Sequence, residues 1–285
     1  RSPRMPVPVP SHFANLSFDF DSISAMVARG MKTPTAISRG EFGAVAVPRI
    51  LALLEKYDIK STFFIPGLTL ETYPDMVKKI AAAGHEIGHH GWTHVPPAFL
   101  EKGLEEAHLV QGSEVIEKLT GQKPRGYRSP AWELSGDTVD LLLKHGFLYD
   151  SSMMGHDWLP YYARTGDVVH DEQGMEFGET TKLIEMPISW VLDDFPHFEF
   201  LRTSEWVMPG LQNASNVLEN WCDEFGYMTE NTDWGMLSYT FHPLVIGRGH
   251  RMMLLERLIK DLIDKGAEFI TLEDGATRWS DRQVG

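Results

Sequence analysis

Two aspartates and two histidines have the residue types and the spacing of a metal-dependent catalytic site. Asp19 and Asp21 are two residues apart in SFDFD, and His90 and His94 are four apart in HGWTH. Two histidines and one carboxylate leave one position of a tetrahedral metal open, as catalytic zinc sites do. Residues two apart in a strand point the same way, so one aspartate can bind the metal while the other accepts a proton from attacking water. The pattern predicts metal-assisted hydrolysis.

A second histidine pair, His85 and His89, matches the HExxH pattern of zinc peptidases. That pattern holds a metal only on a helix, where positions i and i+4 share one face. Here it directly follows Gly84 and contains Gly88, so the sequence predicts a strand followed by a loop. We therefore favour His90 and His94 as metal ligands, and the peptidase hypothesis is the alternative.

The composition limits the partners and the kind of fold. The 285 residues contain 26 Lys and Arg against 40 Asp and Glu, a net charge of −14. Such an excess of acid argues against nucleic acid and anionic membranes as partners. The single cysteine, Cys222, excludes an intrachain disulfide and a cysteine-rich zinc module. The 42% of hydrophobic residues is enough for a core, and the twelve histidines fit metal chemistry.

Alternating helix and strand patterns must position these groups. Four stretches with apolar residues at i, i+3 and i+4, typical of helices, are each followed by a short apolar run. This alternation predicts a parallel sheet covered by helices, open or closed into a barrel. The helical stretches are 48–57, 76–83, 137–145 and 253–265, and the runs that follow them are KSTFFIP, HEIGHH, FLYDSS and AEFITL.

Titratable side chains follow or end five of the predicted strands. The carboxyl ends of parallel strands form the rim on which active sites are built, so we expect these groups to converge although they are distant in sequence. The groups are Asp19 and Asp21, His89 and His90, Arg128, Asp150, and His242, in LSFDFD, EIGHH, GYRSP, FLYDSS and SYTFHP.

The remaining segments suggest one catalytic domain, 13–285, preceded by an extended, proline-rich arm, 1–12. The polar stretch 153–181 is predicted to be a long rim loop, and 190–216 an insertion that walls the site. Because no stretch has the roughly 20 apolar residues of a membrane helix or the apolar core of a signal peptide, we expect a cytoplasmic protein. A signal removed before this numbering begins is the alternative.

SFDFD, HGWTH, RSPAW, LYDSS and FHP, in this order, resemble the five motifs of the polysaccharide deacetylases, carbohydrate esterase family four, which share the nodulation-deacetylase homology domain. The similarity spans roughly 13–272 and looks strongest to the subgroup of peptidoglycan deacetylase-like proteins and cyclic imide hydrolases, whose first motif is Asp-x-Asp. The resemblance implies an α/β fold, a distorted (β/α) barrel of seven or eight strands with long rim loops.

The resemblance also implies a metal site. Carried over by position, it implies that Asp21, His90 and His94 bind a divalent metal. Zinc is the expected ion, and Co²⁺, Ni²⁺ and Mn²⁺ are alternatives because such a ligand set accepts them too.

The resemblance implies catalytic roles as well. Asp19 would be the general base, Arg128 would keep it ionised and oriented, and His242 would be the general acid. The backbone N–H of Ala131 would help to bind the oxyanion. In the fourth motif Asp150 is followed by two serines, a loose match, so Asp150, Asp193 and Asp194 all remain candidates for the group that tunes His242.

The implied reaction is amide hydrolysis, most simply N-deacetylation of N-acetylglucosamine polymers or oligomers of the chitin or peptidoglycan type. Trp132, Trp158 and Trp190 are candidates for stacking on the substrate. A cyclic imide or related cyclic amide is the alternative substrate, and a homo-oligomer, dimer or tetramer, is possible. An inactive metal- or sugar-binding barrel would be expected to have lost Asp19 or His242, and this chain keeps both. A base and an acid together predict a bell-shaped pH profile.

Overall fold

A computed structural model describes residues 11–285. Its strands are β1 (Ser11–Asp19), β2 (Thr62–Ile65), β3 (Glu86–His89), β4 (Gly126–Tyr127), β5 (Tyr149–Asp150), β6 (Tyr161–Thr165), β7 (Glu179–Glu185), β8 (Leu201–Arg202), β9 (Val207–Met208), β10 (Trp234–Phe241) and β11 (Glu268–Phe269). Its helices are α1 (Ile23–Ala28), α2 (Pro34–Lys56), α3 (Gly67–Thr72), α4 (Pro74–Ala82), α5 (Leu104–Thr120), α6 (Thr138–Lys144), α7 (Asp194–Phe198), α8 (Ala214–Asn231), α9 (Pro243–Ile246), α10 (Gly249–Asp264) and α11 (Leu272–Val284).

Nine strands form one curled, mostly parallel sheet in the order β10-β1-β2-β3-β4-β5-β7-β6, with β11 paired to the beginning of β1. Neighbouring strands from β10 to β7 are parallel, whereas β6 is antiparallel to β7. Together with the surrounding helices this half-barrel is a distorted (β/α) barrel, so the predicted fold class is confirmed. The carboxyl ends of seven parallel strands therefore meet on one rim.

Burial explains why the central strands form. All eight residues of β10 are buried, and β1 is buried from Phe13 onward. Strands covered on both faces are expected to be continuously apolar rather than alternating. Helices α2, α8 and α10 cover them with one apolar face each, for example through Ile50, Trp221 and Leu258. No helix within 11–285 is long and apolar enough to cross a membrane.

The structure corrects three predicted boundaries. Helix α2 begins at Pro34 rather than at Pro48, which lies inside it; burial of Val47 and Ile50 beside that proline offsets the lost hydrogen bond. The predicted rim loop 153–181 contains β6 and an antiparallel bridge from Val168 to Glu176. The predicted arm ends earlier, because residues 11 and 12 belong to β1, and 1–10 lie outside the described residues.

Candidate active site

A cavity of roughly 430 Å³ opens at the carboxyl ends of the strands. It brings together residues of the first, second, third and fifth motifs, as their positions at strand ends predict. Its walls come from α1, from the turn after β4 and from the predicted wall segment 190–216. The lining residues are Asp19, Asp21, Arg29, His90, His94, Ala131, Trp132, Trp190, Asp193, Phe195, Pro196, Met208 and His242.

Asp21, His90 and His94 form a cluster that can hold a metal ion, with one ligand atom from each within 4.8 Å of the others. Asp21 Oδ1 lies 3.1 Å from His90 Nε2, and Asp21 Oδ2 lies 3.3 Å from His94 Nε2. Burial raises the pKa of the Asp21 carboxyl, but His94 and His90 outweigh it and hold that pKa well below its usual value. Asp21 is therefore an anion, as a metal ligand must be.

The hydrogen bonds of His90 leave one nitrogen for a metal. His90 Nδ1 lies 2.6 Å from the carbonyl oxygen of Arg128, which can only accept, so Nδ1 carries the proton. In the neutral ring Nε2 then has a free lone pair, the arrangement that metal-binding histidines use. His90 Nε2 and Asp21 Oδ1 are both buried without a hydrogen-bond partner among residues 11–285. A divalent cation satisfies both atoms, so the residues present fit such an ion.

The HExxH motif lies on a strand, as predicted, and its histidines point away from the cavity. Glu86 to His89 form β3, where successive side chains alternate between faces. His89 bonds the carbonyl of Leu109 on α5, and its Nδ1 accepts the N–H of Gly91. Burial lowers the pKa values of His85 and His89 to about 4. Both rings are therefore neutral packing groups, and they lie outside the lining of the cavity.

His94 reaches the cluster through an unusual backbone conformation. The sequence suggested that a turn of helix could begin after β3, but residues 90–94 contain no helix and residues 92–94 form a bend. His94 has a φ of +59°, in the left-handed region that non-glycine residues rarely adopt. Such a conformation costs of order 1–3 kcal/mol and persists where the surrounding structure requires it.

Asp19 is held by a fully buried arginine. Arg128 Nη1 donates to Asp19 Oδ1 at 2.9 Å and to Ser17 Oγ at 2.8 Å. The other donors of the guanidinium bind Ser151, at its carbonyl and its hydroxyl. Asp19 Oδ2 remains directed at the cluster, 3.8 Å from the Nε2 atoms of both His90 and His242. One oxygen of Asp19 is thus fixed, and the other faces the cavity.

Asp150 does not contact His242, which corrects its assignment as a candidate catalytic group. Its carboxylate accepts hydrogen bonds from the N–H and the hydroxyl of Ser152 and lies against Glu185 on β7. Burial raises the pKa values of both carboxyls, that of Glu185 well above its usual value, so the pair retains a proton. Glu185 also accepts the N–H groups of Ser152 and Met153. The pair therefore fixes the segment that holds Arg128.

Asp194 is the carboxylate that binds His242. His242 Nδ1 lies 2.8 Å from Asp194 Oδ1, and the backbone N–H of His242 donates to Oδ2 at 2.9 Å. Asp193 is farther, at 3.5 Å, and caps α7 by accepting the N–H of Phe195. Burial lowers the pKa of His242, but Asp193, Asp194 and Asp21 outweigh burial and raise it well above its usual value. His242 is a cation with Nε2 facing the cavity.

The turn after β4 brings Ala131 to the wall of the cavity. Ala131 and Trp132 have φ values of +53° and +57°, two further left-handed residues at the site. The turn is closed by hydrogen bonds from Trp132 to Ser129 and from Glu133 to Pro130. Neither of these bonds uses the N–H of Ala131, which stays the predicted oxyanion donor.

Two of the three predicted tryptophans line the cavity. The rings of Trp132 and Trp190 are stacked with centroids 3.9 Å apart, and Trp190 is 43% exposed. The prediction for Trp158 is wrong: its carbonyl accepts the N–H of Met236 near the start of β10, whereas His242 follows the far end of that strand. Trp158 packs on Tyr227 and on the core, and helps to close the sheet.

Sequence reasoning missed two groups near the site. Glu185 ends β7 in the run KLIE, so the signal that identified the other strand ends, a titratable residue after an apolar run, is present there as well. Arg29 follows α1 with no recognisable pattern, and only the structure brings it to the cavity.

Comparisons with known proteins identify the family of the chain. The family model for polysaccharide deacetylases matches residues 39–149. A peptidoglycan deacetylase of Helicobacter pylori is 35% identical over 270 residues, covering 90% of this chain and 92% of the relative. A peptidoglycan deacetylase-like protein of Gibberella zeae is 30% identical over 288 residues, covering 92% and 84%.

Solved structures share the fold of the described residues. One from Mycobacterium smegmatis, described as a polysaccharide deacetylase, has a TM-score of 0.82 at 29% identity and covers 99% of this chain and 95% of its own. An allantoinase has a TM-score of 0.77 at 22% identity, covering 97% and 92%. At that identity the second similarity concerns the fold alone.

Proposed function

Because the chain belongs to the polysaccharide deacetylase family, we propose that it is a metal-dependent amide hydrolase that removes acetate from an N-acetylated amino sugar of a polysaccharide or of peptidoglycan. Family members are hydrolases of carbon–nitrogen bonds other than peptide bonds, and this chain is an enzyme of that class. One observation supports the metal dependence. Asp21, His90 and His94 form a buried cluster in which Asp21 Oδ1 and His90 Nε2 lack hydrogen-bond partners among residues 11–285.

Asp21, His90 and His94 would hold the ion, for which we propose zinc. When bound, the ion supplies Lewis acidity that polarises the carbonyl of the scissile amide. The side chains of the protein supply the proton transfers and the orientation.

Asp19 is placed to act as the general base. Arg128 occupies its Oδ1, so the lone pairs of Oδ2 are directed at the cavity and can accept a proton from the attacking water. The ion pair is almost completely buried, at 0% and 1% exposure, which keeps Asp19 from turning away. A base positioned in this way contributes about 10²- to 10⁴-fold to the rate.

His242 is placed to act as the general acid. Its Nδ1 is committed to Asp194, so the proton on Nε2 is the one available to the departing amine. The raised pKa keeps that proton in place at neutral pH. The N–H of Ala131 would stabilise the negative charge that develops on the amide oxygen, at about 3 kcal/mol for such a donor.

The similarity to a peptidoglycan deacetylase over nearly the full length of both chains supports an N-acetyl sugar as substrate. One observation favours a cyclic amide as a second candidate: the segment with Trp190, Phe195 and Pro196 walls the cavity on one side, and Trp190 lies over Trp132. A walled pocket suits a small molecule better than it suits a polymer.

Product analysis on a single metal-loaded preparation separates the two candidates. We expect acetate release from N-acetylglucosamine oligomers or from peptidoglycan fragments, with a rate that rises with metal occupancy. Ring opening of succinimide or hydantoin, without acetate release from any sugar, would support the cyclic amide instead. Absence of hydrolysis of every amide by protein with a full complement of metal would contradict both.

A further inference from the structure

Arg29 is a cation in the wall of the catalytic cavity, and Asp21 and Glu199 are the acidic groups near it. It ends α1, and its Nη1 donates to the carbonyl of Ala25 at 2.9 Å. Its guanidinium carbon lies 5.6 Å from the centre of the Phe195 ring. Among residues 11–285, Arg29 forms no salt bridge within 4 Å. A guanidinium has five N–H donors, so most of its hydrogen-bonding capacity is unused.

The acidic groups that share the cavity already have cationic or metal-site partners. Asp19 is bound to Arg128, and Asp194 to His242. Asp21 lies against His90 and His94. Asp193 caps α7 and lies 3.5 Å from His242 Nδ1, so it shares that cation with Asp194. Among residues 11–285, Arg29 is therefore the cation of the cavity lining that has no carboxylate within salt-bridge distance.

The contacts of Arg29 leave most of its donors free. Burial lowers its pKa, and Asp21 and Glu199 only partly oppose that effect. Its Nη1 donates to the carbonyl of Ala25, and its guanidinium carbon lies over the Phe195 ring, a cation–π contact. These two contacts use one N–H donor and one face of the guanidinium, and its other donors can bind a ligand.

We propose that Arg29 binds a carboxylate of the substrate, next to the amide that is hydrolysed. A planar guanidinium pairs with a carboxylate through two parallel hydrogen bonds, which fixes orientation as well as charge. The preferred substrate is then an acidic amide: an N-acetylated sugar that bears a carboxylate substituent, or a cyclic amide with a carboxylate side chain. The inference rests on the proposed function, because it narrows the substrate class of the same site.

A binding experiment tests this subsite without turnover. Calorimetry compares benzenesulfonate, an anion that coordinates metals weakly, with methyl phenyl sulfone, its neutral counterpart. We expect the wild type to bind the anion about tenfold or more tightly than the sulfone, as one charged hydrogen-bonded pair implies. Arg29→Met, which keeps the stem, should abolish that preference, and Arg29→Lys should restore part of it. Equal preference in wild type and Arg29→Met would overturn the proposal.

Arg125 provides a matched control. It is half exposed, precedes β4 at the opposite end of the sheet and makes only a 3.8 Å contact with Glu273. Arg125→Met removes the same charge from the same protein and should leave the preference for benzenesulfonate unchanged. If Arg125→Met reduced that preference as much as Arg29→Met does, the loss in Arg29→Met would come from the lower net charge of the protein, and the subsite would be refuted.

Kinetics then connect the subsite to the reaction. N-acetylmuramic acid and N-acetylglucosamine share the scissile N-acetyl group, and hydantoin-5-acetate and 5-ethylhydantoin share the ring. In the pair that is hydrolysed, the acidic member should have the higher kcat/KM. Arg29→Met should reduce this preference, the kcat/KM of the acidic member divided by that of the neutral member, about tenfold or more, mainly through KM. A preference that is the same in wild type and Arg29→Met would refute the subsite. Hydrolysis of neither pair, with the anion preference intact, would refute the proposed function and leave the subsite supported.

Discussion

Each catalytic side chain uses one polar atom for attachment and keeps another for chemistry. Arg128 binds Asp19 Oδ1, and Oδ2 faces the cavity. The carbonyl of Arg128 binds Nδ1 of His90, so Nε2 of His90 is free for the metal. Asp194 binds Nδ1 of His242, so Nε2 of His242 faces the cavity. Since each attachment fixes a rotamer or a tautomer, the working atoms are oriented before substrate binds.

Asp194 should control the acid role of His242. In Asp194→Asn the anion beside Nδ1 is lost, so the pKa of His242 falls and its tautomer is no longer imposed. We expect kcat to fall about 100-fold with metal content unchanged, measured by steady-state kinetics and elemental analysis. Asp193→Asn is the matched control and should have a smaller effect, because Asp193 lies 3.5 Å from Nδ1. Equal losses in the two variants would contradict the assignment.

The sequence predicted those site residues that can be recognised from their type and spacing alone. Asp19, Asp21, His90, His94 and His242 all meet at the cavity. The sequence could not show which of Asp150, Asp193 and Asp194 binds His242, because that depends on which loop folds back over β10. It could not find Arg29 either, since a single arginine after a helix has no distinguishing local pattern.

Strand β3 determines which histidine reaches the metal cluster. His89 and His90 are adjacent at its end, and neighbours in an extended chain point to opposite faces. His89 packs under α5 while His90 faces the cavity. A slip of one residue in the pairing of β3 would exchange them, so the packing of α5 on β3 protects the site.

Gly112 is the point of close approach between α5 and β3. A methyl group there would lie 2.4 Å from Nε2 of His89, a buried and hydrogen-bonded atom. Gly112→Ala should therefore reduce the free energy of unfolding by about 1–3 kcal/mol, although alanine favours helices over glycine. The exposed neighbour on the same helix gives the control Gln111→Ala. Urea unfolding that shows Gly112→Ala to be as stable as this control would contradict the packing.

Glu86, at the start of β3, should make stability depend on pH. Burial raises its pKa to about 7 from a usual value near 4.5, against the hydrogen bonds from Tyr149, the N–H of Glu273 and Thr62. The folded state thus holds a proton that the unfolded state has lost, so stability falls as pH rises from about 4.5 to about 7. The shift corresponds to about 3 kcal/mol.

The variant Glu86→Gln cannot ionise and can keep these hydrogen bonds. We expect it to gain free energy of unfolding relative to wild type at pH 8 but not at pH 4.5, measured in urea at both pH values. The variant Glu219→Gln, at an exposed position on α8, serves as control. A gain by Glu86→Gln of the same size at both pH values would contradict the raised pKa of Glu86.

Elements with strong local patterns were predicted well, and those that depend on tertiary contacts were not. The helix predicted at 76–83 corresponds to α4, and the strand in HEIGHH to β3. The polar segment that contains β6 forms a strand only because β7 offers an edge to pair with. Trp158 was placed on the wrong end of the barrel because nothing local shows that its segment runs beside the start of β10.

The molecule as a whole concentrates ionisable groups inside the end of a hydrophobic barrel. Asp19, Asp21, His90 and Arg128 are each at most 2% exposed. Buried charges destabilise a fold unless they are paired, and a bound cation would pair the two atoms that lack hydrogen bonds. The metal should therefore stabilise the folded protein as well as activate the substrate.

Chelation tests that stabilisation. Removing the metal should lower the Tm by about 5 °C or more, since a ligand present at 100 times its Kd contributes about 2.7 kcal/mol. In His90→Asn the added metal should no longer raise the Tm, whereas His85→Asn should respond as the wild type does. A response lost in His85→Asn and kept in His90→Asn would instead favour the HExxH ligands. Calorimetric melts with and without metal provide the measurement.

We infer that Asp19 acts as a base beside a metal held by Asp21, His90 and His94, in an enzyme that hydrolyses amides. The most direct test measures amine release from N-acetylglucosamine oligomers or peptidoglycan fragments by wild type and Asp19→Asn at equal, verified metal content. We predict turnover by the wild type and a loss of at least about 100-fold in Asp19→Asn, which keeps its metal. Undiminished turnover by metal-loaded Asp19→Asn would show that Asp19 is not the general base.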